Sequence, residues 1–193
     1  LASTANAAGI TARPGSVIYV DNSVCTLGPL MSWKDASNTI TYGALTAGHC
    51  GEFGDTVYLA RTEERIGSIA VSEYNSFGSD DYALVAFDHV NYAAPAISNK
   101  GVGAPSEGMR VRTFGGISGD RVGTVTATQS TSFDVSFPAV KGDSGGAVYG
   151  VDSEGIHLLG IIQGYNADTG KAHVVTAEYA LRDMPSVAPL GAR

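Results

Sequence analysis

The sequence predicts an all-β protein, a sandwich or a barrel, on three observations. About eleven short apolar or alternating runs recur along the 193 residues, separated by turn signals. Only 16% of the residues are charged. The chain also contains 25 glycines among its 193 residues, roughly twice average usage. A low charge content with many turn formers suits short strands better than long surface helices. A chain of this length can bury one large core or two smaller barrels.

The predicted strands follow one another through both halves of the chain. In the first half they cover residues 16–20, 39–46, 56–60, 66–71 and 82–87. The charged residues 61–65 are interpreted as a solvated turn. In the second half the strands cover residues 110–114, 122–128, 132–137, 147–151, 157–163 and 172–175. Residues 91–108 carry proline and glycine and are predicted to link the halves.

One helix is predicted near the end of the sequence. Thr176 can cap its first turn, and Pro185 stops it. The apolar stripe between them consists of Ala177, Ala180, Leu181 and Met184.

The motif KGDSGG at residues 141–146 is a candidate nucleophile segment. A serine hydroxyl needs a neighbouring base to take its proton before it becomes a good nucleophile. The N–H groups of Gly142 and Ser144 can together bind a developing oxyanion, because glycine lets the backbone approach a substrate closely. The same residue types are also common in ordinary turns.

His49 and Asp81 are the candidate base and its partner. His49 follows an apolar, β-prone run, and Asp81 stands at the start of the apolar run YALVAF. A carboxylate hydrogen-bonded to the imidazole would hold it in the tautomer that accepts a proton from serine. Asp81 is preferred over the adjacent Asp80, which is interpreted as a solvated loop acid.

The motifs at His49, Asp81 and Ser144, in this order, resemble the three boxes of the trypsin-like (chymotrypsin-fold) serine peptidases. The overall pattern is similar to the secreted actinobacterial streptogrisin and α-lytic protease group. The resemblance implies two packed six-stranded antiparallel β-barrels with a short C-terminal helix. It places His49 and Asp81 on an N-terminal barrel, residues 1–95, and Ser144 on a C-terminal barrel with the helix, residues 96–193.

The resemblance also implies a disulfide between Cys25 and Cys50, and with it an oxidising, extracellular location. In the chain-entropy treatment, a loop of this size stabilises the fold by ~3 kcal/mol. From the residues alone, two free buried thiols remain the other interpretation.

Two features depart from the family pattern. In the animal enzymes of this family, a buried Ile or Val terminus pairs with the aspartate before the nucleophile, whereas the bacterial members use an internal arginine. The resemblance therefore implies that Asp143 pairs with Arg110 or Arg112. Gln163-Gly164-Tyr165 stands where relatives have Ser-Trp-Gly or Ser-Gly-Gly. The serine of that segment normally supports the triad aspartate.

Substrate specificity is predicted from residues that match the family's pocket. Pro138 lies six residues before Ser144, where an aspartate would select Lys and Arg. The neighbours of Pro138 are apolar, which favours a small or medium apolar side chain at the residue preceding the cut (P1). Lys141, with Lys171 and His173, supports an acidic side chain instead. The predicted substrate-binding residues are Pro138, Lys141, Gln163, Gly164 and Tyr165.

The remaining histidines are given structural interpretations: His89 on the surface, His157 at a strand end, and His173 more often structural than part of the pocket. No Cys/His cluster has metal-ligand spacing, and no metal or cofactor is expected. The net charge of −7 argues against nucleic acid as a partner. No apolar run approaches the ~20 residues that span a bilayer.

The expected partners are polypeptide substrates, and the expected state is a monomer. Residues 1–8 lack the basic start and apolar stretch of a signal peptide, so they are interpreted as the flexible start of a mature chain.

Two other functions fit parts of the sequence. Residues 142–146 also satisfy the Gly-x-Ser-x-Gly elbow of α/β-hydrolases, which would indicate an esterase or lipase. Those enzymes place the acid and the histidine after the serine, whereas here both precede it. The other alternative is a peptidase fold kept as a binding module, which Gln163 and Tyr165 favour.

Overall fold

The structure is a computed structural model that describes residues 11–76, 80–88, 91–92 and 100–190. The chain start, His89, residues 93–99 of the predicted linker and the proposed boundary between residues 95 and 96 lie outside the described residues. No helix in the described ranges is long and apolar enough to cross a membrane.

The described chain forms strands connected by turns, with one short α-helix. The strands of the first half are β1 (Thr11–Ala12), β2 (Val17–Val20), β3 (Ser23–Thr26), β4 (Leu30–Lys34), β5 (Ile40–Thr46), β6 (Thr56–Leu59), β7 (Glu64–Tyr74), β8 (Asp81–Phe87) and β9 (Asn91–Tyr92). The second half comprises β10 (Arg110–Gly115), β11 (Gly119–Thr128), β12 (Ser132–Pro138), β13 (Ala147–Val151), β14 (Ile156–Tyr165), β15 (Lys171–Thr176), α1 (Ala177–Leu181) and β16 (Ala188–Pro189). A 3₁₀ turn, Gly48–Cys50, follows β5.

The strands of the second half close into a six-stranded barrel in the order β10-β11-β12-β15-β14-β13. Along β12 and β15, buried and exposed residues largely alternate, because one face of each strand lines the barrel. The interior is filled by apolar side chains, among them Val111, Phe133, Val135, Leu159 and Val174.

The first half forms an eight-stranded sheet in the order β16-β4-β5-β8-β7-β6-β2-β3. The predicted all-β class is therefore confirmed. The first half differs from the predicted six-stranded barrel, because its sheet has eight strands, with β3 and β16 at its two ends. Its core contains Ile18, Val20, Leu27, Ile66 and Val85.

Three strands of the first sheet are absent from the sequence prediction. β3 pairs with β2 across a two-residue turn, where Asp21 takes a φ of 52°; such two-residue hairpin turns favour positive φ. β4 carries the lone Trp33, and β16 is only two residues long. The charged run at 61–65 is a turn only in part, because β7 begins at Glu64.

A shared apolar cluster joins the two halves and the helix. Leu45 and Leu84 from the first sheet meet Ile161 and Val175 from the second barrel, and Met184 follows α1. β8 is buried on both faces, which explains its uninterrupted apolar sequence. This packing brings the start of β8 close to the second barrel.

The predicted helix is present as α1, and Thr176 caps it by accepting a hydrogen bond from the N–H of Tyr179 at 3.3 Å. It ends at Leu181, before Pro185, because the chain continues in tight turns through Met184.

Candidate active site

His49 lies on the 3₁₀ turn Gly48–Cys50, at the end of β5. The turn is tightly packed: a Cβ at Gly48 would lie 2.1 Å from the carbonyl oxygen of Glu73. Ser72 Oγ donates a hydrogen bond to the carbonyl oxygen of Gly48 at 3.2 Å. The backbone that carries His49 is therefore held from β7.

The predicted disulfide is confirmed, since Cys25 and Cys50 are bonded with their Cα atoms 6.2 Å apart. The two sulfurs and a ring nitrogen of His49 lie within 4.8 Å of one another. This cluster has the composition of a metal site, but a disulfide offers no thiolate ligand. The bridge ties the turn of His49 to β3 instead.

Asp81 accepts two kinds of hydrogen bond from His49. Its Oδ1 accepts from the His49 backbone N–H at 2.9 Å, and its Oδ2 lies 2.9 Å from Nδ1. The Asp81 side chain is only 10% exposed, against 32% for His49. A carboxylate on Nδ1 favours the tautomer with the proton on that nitrogen, which leaves Nε2 as a proton acceptor.

Asp80 is held by the helix rather than solvated. Its Oδ1 accepts from the Tyr179 hydroxyl at 2.7 Å and from Arg182 at 3.3 Å. The prediction that Asp80 is a solvated loop acid is therefore wrong, because its carboxylate binds Tyr179 and Arg182. The two adjacent carboxylates face different partners, Asp80 toward α1 and Asp81 toward His49.

Tyr82 adds a second link from β8 to the segment after α1. Burial is the main cause that raises the pKa of Tyr82 to about 12, so the phenol stays protonated at neutral pH. Its hydroxyl donates to Asp183 Oδ2 at 3.3 Å.

The Ser144 segment contains two glycines in the left-handed region, Gly142 at φ +99° and Gly145 at φ +93°. A Cβ at Gly145 would lie 2.3 Å from Thr46 Oγ1, so only glycine fits. The Ser144 side chain is nearly buried, and its Oγ donates to the carbonyl oxygen of Gln163 at 3.3 Å. Among the described residues, Ser144 Oγ and His49 share no hydrogen bond. Such bonds often form only when substrate is present.

Hydrogen bonds dock the Ser144 segment onto the first sheet. The N–H of Thr26 donates to the carbonyl oxygen of Ser144 at 2.8 Å, and Thr26 Oγ1 donates to that of Gly142 at 2.7 Å. A Cβ at Gly28 would lie 2.4 Å from the carbonyl oxygen of Gly145, so the backbones meet without intervening side chains. The second-barrel serine therefore lies against β3, which the disulfide joins to the turn that carries His49.

The predicted oxyanion donors are available. Within the part of the chain that the structure describes, neither the N–H of Gly142 nor that of Ser144 donates to another protein atom. The intervening Asp143 N–H donates to the carbonyl oxygen of Val140 at 3.0 Å. This alternation leaves the two outer N–H groups for a ligand.

Asp143 does not pair with either predicted arginine. Arg112 binds Asp120 instead, on the exposed face of the hairpin. The Asp143 carboxylate is buried and accepts from Ile117 and Ser118 of that hairpin. Hydrogen-bond donors replace the expected cation.

A cleft of about 560 Å³ opens beside Asp81. It is lined mainly by polar and aromatic side chains, including Tyr74, Gln163 and Tyr165. β13 accompanies β14 only to the pair Ala147↔Ile161, whereas β15 continues to Tyr165↔Ala172. The described strands therefore pair with Gly164 and Tyr165 from the β15 side only.

His173 lines this cleft, and it is also hydrogen-bonded, as the structural role favoured by the sequence requires. Its Nδ1 lies 2.6 Å from Asp134 Oδ1, and both side chains are partly exposed. Both residues face the cleft together with Ser132.

Pro138 and Lys141 are exposed and are not among the residues that line this cleft. The apolar neighbours Phe137 and Ala139 are buried in the second-barrel core. These two side chains pack inward, so their apolar character reflects the barrel interior.

The sequence did not indicate three residues whose side chains bind site residues: Thr26, Ser118 and Asp134. Each lies on a strand or hairpin turn far from its partner in sequence, and no short motif marks it. For Asp134, the register with β15 places it opposite His173, which alternation along the two strands could have indicated.

Comparisons with known proteins identify a relative and the fold. No protein-family model matches the chain. The uncharacterized protein Rv1815 of Mycobacterium tuberculosis is 32% identical over 163 residues, covering 76% of this chain and 70% of that protein.

Solved structures show the same fold. A glutamic-acid-specific serine protease, described as using a histidine triad in substrate binding, has a TM-score of 0.71 at 21% identity, covering 92% of this chain and 100% of its own. The Nocardiopsis protease NAPase has a TM-score of 0.68 at 21% identity, covering 93% and 98% of the two chains. The predicted resemblance is thus confirmed at the level of the fold.

Proposed function

This chain belongs to the same family as the uncharacterized mycobacterial protein Rv1815 and has the chymotrypsin fold, and from this premise we propose that it is a serine endopeptidase. One observation carries the proposal: the Asp81 carboxylate is hydrogen-bonded to both the backbone N–H and the Nδ1 of His49. The docking of the Ser144 segment against β3, the strand that the disulfide joins to the turn of His49, supports it.

In the proposed reaction, Ser144 Oγ attacks the peptide carbonyl while His49 Nε2 takes its proton. The carbonyl oxygen becomes an oxyanion held by the N–H groups of Gly142 and Ser144. His49 then gives the proton to the leaving amine as the C–N bond breaks, which leaves an acyl-enzyme. Water, activated by His49, releases the acid and restores Ser144. Asp81 orients the imidazole and stabilises its charged form.

The substrate in this proposal is an extended polypeptide. Its backbone would add a strand at Gly164 and Tyr165, on the side that β13 leaves open. Gln163 and Tyr165 line the adjacent cleft and would contact substrate side chains. No cofactor takes part in the steps.

For the P1 residue we propose a small or medium apolar side chain, in the pocket that the family resemblance assigns to Pro138, Lys141, Gln163, Gly164 and Tyr165. Of these five, Gln163, Gly164 and Tyr165 line the described cleft. An acidic side chain is the alternative, supported by Lys141 and by His173 in the cleft. Asp134 offsets the charge that a protonated His173 would offer to a carboxylate. Two carboxylates line the described part of the cleft, and each is hydrogen-bonded to a histidine: Asp81 to His49 and Asp134 to His173. Neither is therefore free to pair with a basic side chain, which argues against Lys or Arg at P1.

The disulfide supports a proposed extracellular location, because such bridges persist in oxidising compartments. We further propose that the protein acts as a monomer, with its two halves divided near residues 95 and 96.

A reactive organophosphate should label Ser144 covalently and stop peptide cleavage. Activated serine hydroxyls react with such reagents, whereas ordinary serines do not. Mass spectrometry of the labelled protein would identify the modified peptide, and His49→Ala should prevent labelling. A protein that binds peptides but takes up no label would instead be a binding module, the alternative that Gln163 and Tyr165 favour.

Cleavage rates for matched peptides with Ala, Leu, Phe, Glu or Arg at P1 should be highest for the small or medium apolar residues. Each well-matched methylene in an apolar pocket contributes ~1–3 kcal/mol of discrimination. Peptides that differ only at P1 make the comparison direct. A clear preference for Glu would favour Lys141 and His173 as the specificity residues, and a clear preference for Arg would contradict the pocket proposal.

A further inference from the structure

Asp143 lies in sequence between the two residues that supply the proposed oxyanion donors, and it is 1% exposed. It accepts hydrogen bonds from the N–H groups of Ile117 at 3.0 Å, Ser118 at 2.8 Å and Val140 at 3.1 Å. Ser118 Oγ donates to its other side. Among the described residues, no cationic nitrogen lies within ion-pair distance of it. Neutral donors alone therefore satisfy this buried carboxylate, and a buried carboxylate depends strongly on each of them.

Ser118 supplies two of these four donors, one from its backbone and one from its side chain. It lies in the turn between β10 and β11, which the strand pairing fixes through Gly115↔Gly119. The hydroxyl is the one side-chain donor to Asp143 among the described residues. Removing it leaves one side of the carboxylate with the Val140 N–H alone.

The same turn also contacts Gly142. A Cβ at Gly142 would lie 2.6 Å from Ile117 Cγ1, so the Ile117 side chain covers this glycine. The N–H of Gly116 donates to Thr26 Oγ1 at 2.8 Å, and that hydroxyl donates to the Gly142 carbonyl oxygen at 2.7 Å. The turn thus holds Gly142 on its Cα side and, through Thr26, at the peptide that follows it.

We propose that Ser118 is a positioning residue for the oxyanion hole. Its hydroxyl anchors Asp143, and Asp143 in turn sets the direction of the N–H groups of Gly142 and Ser144. Ser118 itself does not touch the substrate. The inference rests on the proposed peptidase function and adds to it a residue outside the triad.

A positioning role of this kind has a kinetic signature. Oxyanion donors act on charge that develops in the transition state, so misdirecting them lowers kcat and leaves KM nearly unchanged. A purely structural role for Ser118 would lower thermal stability without separating kcat from KM in this way.

The test compares Ser118→Ala, Ser118→Val and Ser118→Thr with the wild-type protein. Valine and threonine have nearly the same shape, so this pair isolates the hydroxyl. We expect Ala and Val to lower kcat ~10- to 100-fold, below the effect of deleting an oxyanion donor outright. KM should change less than about threefold, and Thr should keep kcat within about threefold of wild type. The affinity of a peptide aldehyde, whose adduct places an oxyanion in the hole, should fall in parallel with kcat.

Ser136→Ala is the matched control, because Ser136 Oγ also binds a backbone N–H of the same barrel, that of Thr124, but has no contact with Asp143. It should keep wild-type kinetics. Rates are expressed per active site titrated with the organophosphate, so partial unfolding does not enter kcat.

A Ser118→Val protein with wild-type kcat and aldehyde affinity would overturn the inference. So would a Val variant that does not fold while Thr does, because the hydroxyl would then serve stability. If the wild-type protein neither cleaves peptides nor takes up organophosphate, the proposed function itself fails. If it does both and Val matches it, only the role of Ser118 fails.

Discussion

Ser144→Ala is expected to lower peptide hydrolysis by ~10⁴-fold or more. The substitution removes the atom that forms the acyl-enzyme in the proposed reaction, yet it changes little else. Ser144 Oγ makes one long hydrogen bond, at 3.3 Å to the Gln163 carbonyl oxygen, so the fold should survive its loss. Steady-state cleavage of a fluorogenic peptide by the purified variant is the measurement, with circular dichroism to confirm the fold.

Ser37→Ala provides the control for this change. Ser37 lies in an exposed turn where its hydroxyl binds Asp35, at a distance from the cleft. It should retain wild-type turnover. Near-normal hydrolysis by Ser144→Ala would exclude Ser144 as the nucleophile.

Asp81→Asn is expected to lower kcat by ~10⁴-fold, the effect of the same change in a well-characterised Ser-His-Asp triad. Asparagine preserves the size of the side chain but can present an N–H to His49 Nδ1. The imidazole would then carry its proton on Nε2, where it cannot accept one from Ser144. Single-turnover kinetics would separate this loss in chemistry from any change in peptide binding.

Asp80→Asn is a demanding control, because it makes the same chemical change one residue away. Asp80 binds Tyr179 and Arg182 on the helix side, so its substitution should reduce the melting temperature and cost less than about tenfold in kcat. The opposite result, with Asp80→Asn inactive and Asp81→Asn active, would reverse the assignment of the acid.

Much of the fold could be predicted because its signals are local. β5, β8 and β13 are dense runs of apolar and β-branched residues, and their predicted bounds agree within about a residue. The motifs around His49, Asp81 and Ser144 each consist of a few consecutive residues. Their order along the chain indicated the family resemblance, and the resemblance implied the disulfide.

Other features could not be predicted, because they depend on contacts between distant segments. The strand β3 is short and half polar, and it exists because β2 and the disulfide hold it in place. The partners of Asp143 come from a hairpin turn, and an isolated serine in a turn carries no signal of what it will bind. The Asp134–His173 pair depends likewise on the register of β12 and β15.

The pairing of β16 with β4 has a consequence for how the chain can fold during synthesis. Ala188 and Pro189 are synthesised after the second barrel, yet they pair with β4 at one edge of the first sheet. Until they arrive, β4 presents unpaired backbone groups, which can pair with another chain. A contact between segments this far apart in sequence also forms late, because the long intervening loop must close first. The edge of the first sheet is therefore completed only after the second barrel has been made.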